Sequence, residues 1–417
     1  MTLPSPPTRV TVVGTGLAGL RTAAELRGQG FTGHLTVVGE ERAAPYDRPP
    51  LSKELLTRTA PLDLAGEGYG DLTALADELL TGHRAVTLDA DDDGARLTVA
   101  GPGGTREVAA DVVVVATGAS PVVVPGWRDV LTLHDLDDAA RLRELLGPGA
   151  RLAVIGAGWI GAELATVAAA AGVDVTVLEG GPVPLGHVLG PRVGELLVPW
   201  YAECGIALHC GATVTAADAG GVGLDDGSRV AADVVVAAVG VRPSTGWLAG
   251  SLPLTARGAV PVELTGRVRG GPTSVRAVGD VADRHSPRDG VVPGAHWDGA
   301  LSHPAALVAD LLGTADGPAP DPAPYVFSTQ LGHELTVVGH VPAGAEVVLR
   351  GDPGAGPWTA LYVVPDADGV PRLHAGLTVD RPRDVGQLRK ALAGPEHPTI
   401  DPAAAADPAV QLRKTLT

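Results

Sequence analysis

Apolar positions in this chain fall into short continuous runs rather than long amphipathic stripes. Residues 10–20 read VTVVGTGLAGL, a β-branched run that breaks into glycine at Gly14, Gly16 and Gly19 and then passes into an Ala-rich stretch. A short apolar run closed by turn residues predicts a strand buried on both faces, and the Ala/Leu-rich segment after it predicts a helix. Residues 152–163, LAVIGAGWIGAE, repeat the pattern at Gly156, Gly158 and Gly161. Each helical stretch leads to a second apolar run that ends in an acid: LTVVGE at Glu40, 26 residues after Gly14, and VTVLE at Glu179, 23 after Gly156. DVVVVATGASP (111–121) and DVVVAAVGVRP (233–243) agree at seven of eleven positions. The chain therefore holds two related strand-rich units, each opening on a glycine-rich turn. A Pro-rich stretch, GPAPDPAP (317–324), reads as a linker. Beyond it, alternating apolar runs at 335–338, 346–349 and 359–364 predict antiparallel strands.

Composition narrows the picture. A chain of 417 residues calls for two or three domains. With 45% hydrophobic and 19% charged residues it is a folded protein and not a disordered one. The net charge of −17 argues against a nucleic-acid partner, because neutralising phosphates needs a basic face. Cys204 and Cys210 are too few for a disulfide framework or a metal cage and lack C-x-x-C spacing, so they read as small apolar fillers at a helix-to-strand junction. The 12 histidines show no metal-ligand spacing, and no metal is expected. The N-terminal MTLPSPPTR lacks an apolar signal region and no run approaches a membrane span, so the chain reads as soluble and cytoplasmic.

A single G-x-G-x-x-G is weak evidence in a chain with 57 glycines. Two copies, each between a strand and a helix and each followed by an acid at the end of the next strand, are a dinucleotide-binding pattern. The three glycines serve a tight turn, close approach of backbone to pyrophosphate, and close helix–strand packing. The pyrophosphate rests on the helix N-terminus, where free N–H groups and the helix dipole favour an anion. Two such units imply two dinucleotides. Glu179 precedes Gly180, Gly181 and Pro182, with no Arg to neutralise a 2′-phosphate, so the second unit is expected to take NADH over NADPH. The first is then left for FAD.

In PYDRPPLSKELL (45–56), the double glycine pattern, SVRAVGDVAD (274–283) and DPAVQLRKTL (407–416), the chain resembles the FAD-dependent ferredoxin reductases of the putidaredoxin reductase and aromatic-ring dioxygenase reductase type, along essentially its whole length. The resemblance implies an α/β fold with two Rossmann-like dinucleotide-binding domains plus a C-terminal α+β domain. The FAD domain is discontinuous, 1–118 and 244–320; the NAD domain, 119–243, is inserted; and 321–417 forms the C-terminal domain. It implies that Gly14, Gly16, Ala18 and Gly19 wrap the FAD pyrophosphate and that Glu40 holds the adenosine ribose. Arg48 and Lys53 then belong to a flavin-contacting loop, Val86 to the adenine side, and Ala116, Thr117 and Gly118 to a second strand end at the FAD. Asp280 meets the ribityl chain and Trp297 the isoalloxazine. Gly156, Gly158, Ile160, Gly161, Glu179 and Gly240 match the nicotinamide-cofactor pattern. It further implies that Lys53 and Glu163 form a buried ion pair beside flavin N5, with Trp159 as an aromatic gate. An ammonium there favours negative charge on the reduced flavin, and a carboxylate keeps it aimed. The resemblance implies that hydride passes from NADH to flavin and that electrons then pass singly to an iron–sulfur ferredoxin.

Four positions depart from that family: His134 stands for an Arg, Ala295 for an acid, Phe327 for a Trp and Thr329 for an Asp, the last two in PYVFSTQ (324–330) at the implied electron-exit face. Lys occurs only three times, although Arg381, Arg383, Arg389 and Lys390 cluster near the C-terminus. Two readings stay open: a ferredoxin reductase, and a family member repurposed for a small-molecule substrate without a ferredoxin partner. A signalling flavoprotein similar to the apoptosis-inducing reductases is a third.

Overall fold

The computed structural model describes residues 6–294 and 296–417. Two compact units divide the chain. The first comprises the chain up to Asp47, Leu62–Ser120 and Arg242–Pro324; the second comprises Arg48–Pro61, Pro121–Val241 and Tyr325–Thr417.

The first unit is built on five parallel strands in the order Val275–Ala277, Val112–Val115, Arg9–Val13, His34–Gly39, Glu78–Thr81. The side chains of Val112, Val113, Val114 and Val115 are all fully buried, as expected of a parallel strand covered on both faces. Helices Leu17–Gly28 and Trp297–Leu312 pack together in this unit. An antiparallel sheet of Arg84–Ala90, Ala95–Gly101 and Gly104–Ala110 is added to it.

The second unit repeats the theme with four parallel strands in the order Ala207–Cys210, Asp174–Glu179, Arg151–Ile155, Val234–Ala237. In both sheets the strand leading into the glycine turn is central and the strand ending near the acid lies beside it, so the chain reverses direction of winding at the turn. The repeat extends to an ion pair at the foot of each sheet. Arg9 binds Asp111 at 2.9 Å and Arg151 binds Asp233 at 2.7 Å. Burial raises the Asp111 carboxyl, but the Thr8 hydroxyl and N–H and Arg9 outweigh it and hold it at about 2. Hydrogen bonds from Arg151 hold Asp233 at about 2.

The second unit also carries a five-stranded antiparallel sheet, ordered Tyr325–Gln330, His333–Gly339, Pro371–Val379, Trp358–Pro365, Glu346–Arg350. The runs at 335–338, 346–349 and 359–364 lie in three of these strands; Tyr325–Gln330 and Pro371–Val379 carried no comparable signal. Buried Arg350 fastens the chain end, donating to the carbonyls of Ala405, Asp407, Pro408 and Val410 and pairing with Asp384. The filler reading of the cysteines fails in part. Cys204 caps the helix Pro191–Glu203 and is half-buried, but Cys210 ends an edge strand and is exposed, because an edge position has no second neighbour to cover it.

Candidate functional site

The first glycine turn shows what each glycine does. Gly14 has φ +123°, and a Cβ there would collide with the Ala116 carbonyl; a Cβ on Gly19 would collide with the Gly14 carbonyl. Gly16 differs: a Cβ would meet nothing within 4 Å. The protein itself does not need glycine at that point, but a ligand pressed onto the backbone does. Gly16 also caps helix Leu17–Gly28 with no side-chain hydrogen bond and no acid in the first turn, which leaves first-turn N–H groups for an anion. The second turn repeats this. Gly156, φ +105°, sits against the Ala238 carbonyl, Gly161 against that of Gly156, and Gly158 faces open space at the uncapped start of helix Trp159–Ala170. Both turns thus fit a dinucleotide pyrophosphate.

Other residues of the first unit gather around its turn. Asp280 lies in the tight turn Gly279–Val281, and a Cβ on Gly279, φ +80°, would come within 2.9 Å of the Ala18 Cβ, so this turn packs directly on the first glycine turn. Thr117 Oγ1 donates to the Ser244 carbonyl at 2.9 Å, and Gly118 takes φ +67°. Ala116 is buried behind Gly14. Val86 is 39% exposed at a bulge in its strand. The Trp297 indole N–H donates to Asp47 Oδ1 at 2.7 Å, and Tyr69 meets the ring edge-on, so the ring plane is held from two sides. Ala295, one of the four departures, lies outside the described residues.

The two acids differ. Glu40 is about two-thirds exposed and pairs with Arg84 at 3.1 Å. Glu179 is held by backbone: its Oε2 accepts from Ala157 N–H and its Oε1 from Gly181 N–H, each at 2.7 Å. A carboxylate oxygen has two lone-pair directions, so each keeps one for a ribose hydroxyl. Ile160 is 40% exposed at the start of the same helix, and Gly240 takes φ +98°.

Also in the second unit, a polar knot centres on Glu163, 4% exposed on helix Trp159–Ala170. Lys53 Nζ, at the end of the short helix Pro50–Lys53, pairs with Glu163 Oε1. Lys53 keeps 18% of its side chain exposed, so the pair is only part-buried. Ser52 Oγ donates to Glu163 Oε2 at 2.5 Å and Ser328 Oγ to Oε1 at 2.5 Å. Gln330 Nε2 donates in turn to Ser328 Oγ at 3.3 Å. Lys53 Nζ also lies 5.3 Å from the centre of the Phe327 ring, within cation–π range. Sequence reasoning does not reach these serines or Gln330: the alternation in 325–330, with Ser328 and Gln330 buried and Phe327 and Thr329 exposed, is a signal for Ser328 and Gln330, and nothing marks Ser52. Arg48 Nη1 donates to the carbonyl of His134 at 2.6 Å, also in the second unit.

Comparison with known proteins identifies the class. Residues 8–299 match the pyridine nucleotide-disulphide oxidoreductase family and residues 325–416 match the reductase C-terminal domain. The chain belongs to the pyridine nucleotide-disulphide oxidoreductases, in the branch that carries this C-terminal domain. It is 33% identical over 412 residues to the ferredoxin reductase component of chlorobenzene dioxygenase from Cupriavidus sp. (strain PS12), covering 96% of this chain and 95% of that one. Among solved structures, Fdr9 matches with a TM-score of 0.86 and 38% identity over 97% of this chain and 99% of its own. Putidaredoxin reductase, in its covalent complex with putidaredoxin, matches with a TM-score of 0.82 and 26% identity over 97% of both chains.

Proposed function

We propose that the chain takes hydride from NADH onto FAD and delivers electrons to a ferredoxin-type iron–sulfur protein of an oxygenase system. The observation that carries this is the pair of ligand-shaped glycine turns in a chain that matches ferredoxin reductase components from end to end. In this reading the FAD domain is 1–118 and 244–320, the NAD domain 119–243 and the C-terminal domain 321–417, and the protein works in the cytoplasm. No helix among the described residues is long and apolar enough to cross a membrane.

FAD, when bound, supplies the exchange between a two-electron hydride donor and a one-electron acceptor. The chain's own residues do the rest. Gly14–Gly19 and the uncapped helix start receive the FAD pyrophosphate, Glu40 the adenosine ribose, and Asp280, beside the turn, the polar chain between. Gly156–Gly161 receive the NADH pyrophosphate. Glu179, aimed by Ala157 and Gly181, takes the ribose diol and repels a 2′-phosphate. Glu163 holds the Lys53 ammonium as a fixed positive charge for the hydride step, and Trp159, half-buried one turn before Glu163, gates the nicotinamide.

A second reading, a small-molecule oxidoreductase, rests on Phe327 and Thr329. Steady-state NADH oxidation with ferricyanide, O₂ and a panel of ferredoxins separates the two: the first requires the highest kcat/KM with a ferredoxin, the second comparable rates with none.

A further inference from the structure

We propose that the edge strand Tyr325–Gln330 positions the Lys53 ammonium from both of its faces, Ser328 through the Glu163 carboxylate and Phe327 directly, and so ties the acceptor side of the protein to the NADH half-reaction. The inference rests on the reading of Lys53 as the charge that serves hydride transfer. Successive residues of a strand point to opposite faces. Here the inward face is polar: Ser328 and Gln330 are each 1% exposed and form a directional chain, Gln330 to Ser328 to Glu163. The outward face carries Phe327, 36% exposed, with Tyr325 at 6.0 Å between ring centres and Arg389 over the Tyr325 ring at 4.8 Å. Lys53 touches both faces' work, through its ion pair and through the Phe327 ring.

The register that brings Ser328 to Glu163 is enforced at a second point. Leu331 turns the chain into the next strand with φ +52°, a left-handed conformation that is strained for a residue with a side chain. Its N–H donates to Thr166 Oγ1 at 2.8 Å, and Thr166 is braced on the Ala162 carbonyl. Glu163 and Thr166 are three residues apart and share one helix face. Ser328 and Leu331 are likewise three apart, so strand and helix are laced at two points one turn apart. A slip of one residue would turn Ser328 outward and break both.

The experiment uses the flavin-loaded protein and four variants: Lys53→Ala, Ser328→Ala, Ser328→Thr and Phe327→Leu. Three quantities are read without any acceptor present: the rate constant of flavin reduction by NADH, the Kd for NAD⁺, and the flavin midpoint potential by equilibrium titration. Removing a hydroxyl that donates to a carboxylate should slow reduction about 10-fold or more, make the potential more negative and leave the NAD⁺ Kd unchanged, with Ser328→Thr restoring both. Phe327→Leu keeps apolar bulk but removes the ring, and should slow reduction about 3-fold. Being exposed, it carries the test if loss of the buried hydroxyl prevents folding. A Ser328→Ala protein with lowered Tm but wild-type rate and potential, or a Phe327→Leu protein with wild-type rate and potential, overturns the inference while leaving the role of Lys53 intact. A Lys53→Ala protein with wild-type rate and potential overturns the underlying reading and the inference with it.

Discussion

The two glycine turns use one backbone solution for different ligand duties. In each, the first glycine takes a positive φ against a carbonyl of the neighbouring strand, the second opens onto empty space, and the third lets the helix close on the turn. The acids that follow are held differently. Glu179 is fixed by two backbone N–H groups before any ligand arrives, whereas Glu40 is mostly exposed and shares a surface pair with Arg84. A preset acceptor suits a cofactor that must bind, react and leave many times, because little ordering remains to be done at each encounter. A loose one suffices where the ligand stays and many other contacts hold it. On the proposed function, pyrophosphate binding belongs to the repeat and the difference in residence to the acids.

Breaking a turn should have the largest effect and should separate the two ligands. Gly14→Val places a β-branched side chain at φ +123° and into the Ala116 carbonyl, a cost of several kcal/mol. The protein should be recovered colourless or unfolded. Gly156→Val should instead give a yellow protein whose flavin NADH no longer reduces. Absorbance spectra before and after NADH distinguish the outcomes. Next in size, Lys53→Ala leaves the Glu163 carboxylate without its cation. Full burial would put that loss at about 3–5 kcal/mol, and 18% exposure of Lys53 reduces it. Flavin reduction should slow much more than NADH binding weakens, as read by stopped flow.

The acids sharpen the comparison. Glu179→Ala should weaken NADH use by about 5- to 150-fold and narrow the preference over NADPH, measured as kcat/KM for each. Glu40→Gln should change FAD retention far less, since an exposed ion pair contributes about 0–1 kcal/mol. On the acceptor side, Phe327→Trp with Thr329→Asp should leave NADH-to-flavin reduction near wild type, because Trp keeps an aromatic face for Lys53. Ferredoxin turnover should hold or rise.

The smallest effect concerns acid stability, and both units should share it. Asp111 and Asp233 have folded pKa values of about 2, below the usual carboxylate value of 3.8. Their contribution is present above about pH 4 and is lost as pH falls through 2. Asp111→Asn and Asp233→Asn should each flatten the fall in apo-protein Tm across that range.

Glycine turns and buried parallel strands were legible in the sequence because their constraints are local: a backbone angle only glycine accepts readily, and a valine run only a covered sheet accepts. The contact of Lys53 with Glu163 was legible because each sits in a cofactor motif, PYDRPPLSKELL and LAVIGAGWIGAE. The rest of the knot was not. Ser328 and Gln330 lie on a strand more than 150 residues from Glu163 and Ser52 on a helix 111 residues from it, and a serine carries no pattern that announces a buried acceptor. Backbone fixing of Glu179 was hidden for a similar reason, since Ala157 and Gly181 act through main-chain N–H groups that any residue but proline has. Cys210 departs from the filler reading because its apolar character says nothing about its place at a sheet edge.

The central claim, one turn for resident FAD and one for transient NADH, is tested most directly by anaerobic titration of the purified protein with NADH and, separately, NADPH. The expected result is a yellow protein with one FAD per chain, bleached by about one equivalent of NADH and far more slowly by NADPH, with the Gly156→Val protein yellow but not bleached. A colourless protein that cannot be reconstituted with FAD, or a Gly156→Val protein bleached by NADH at the wild-type rate, would contradict it.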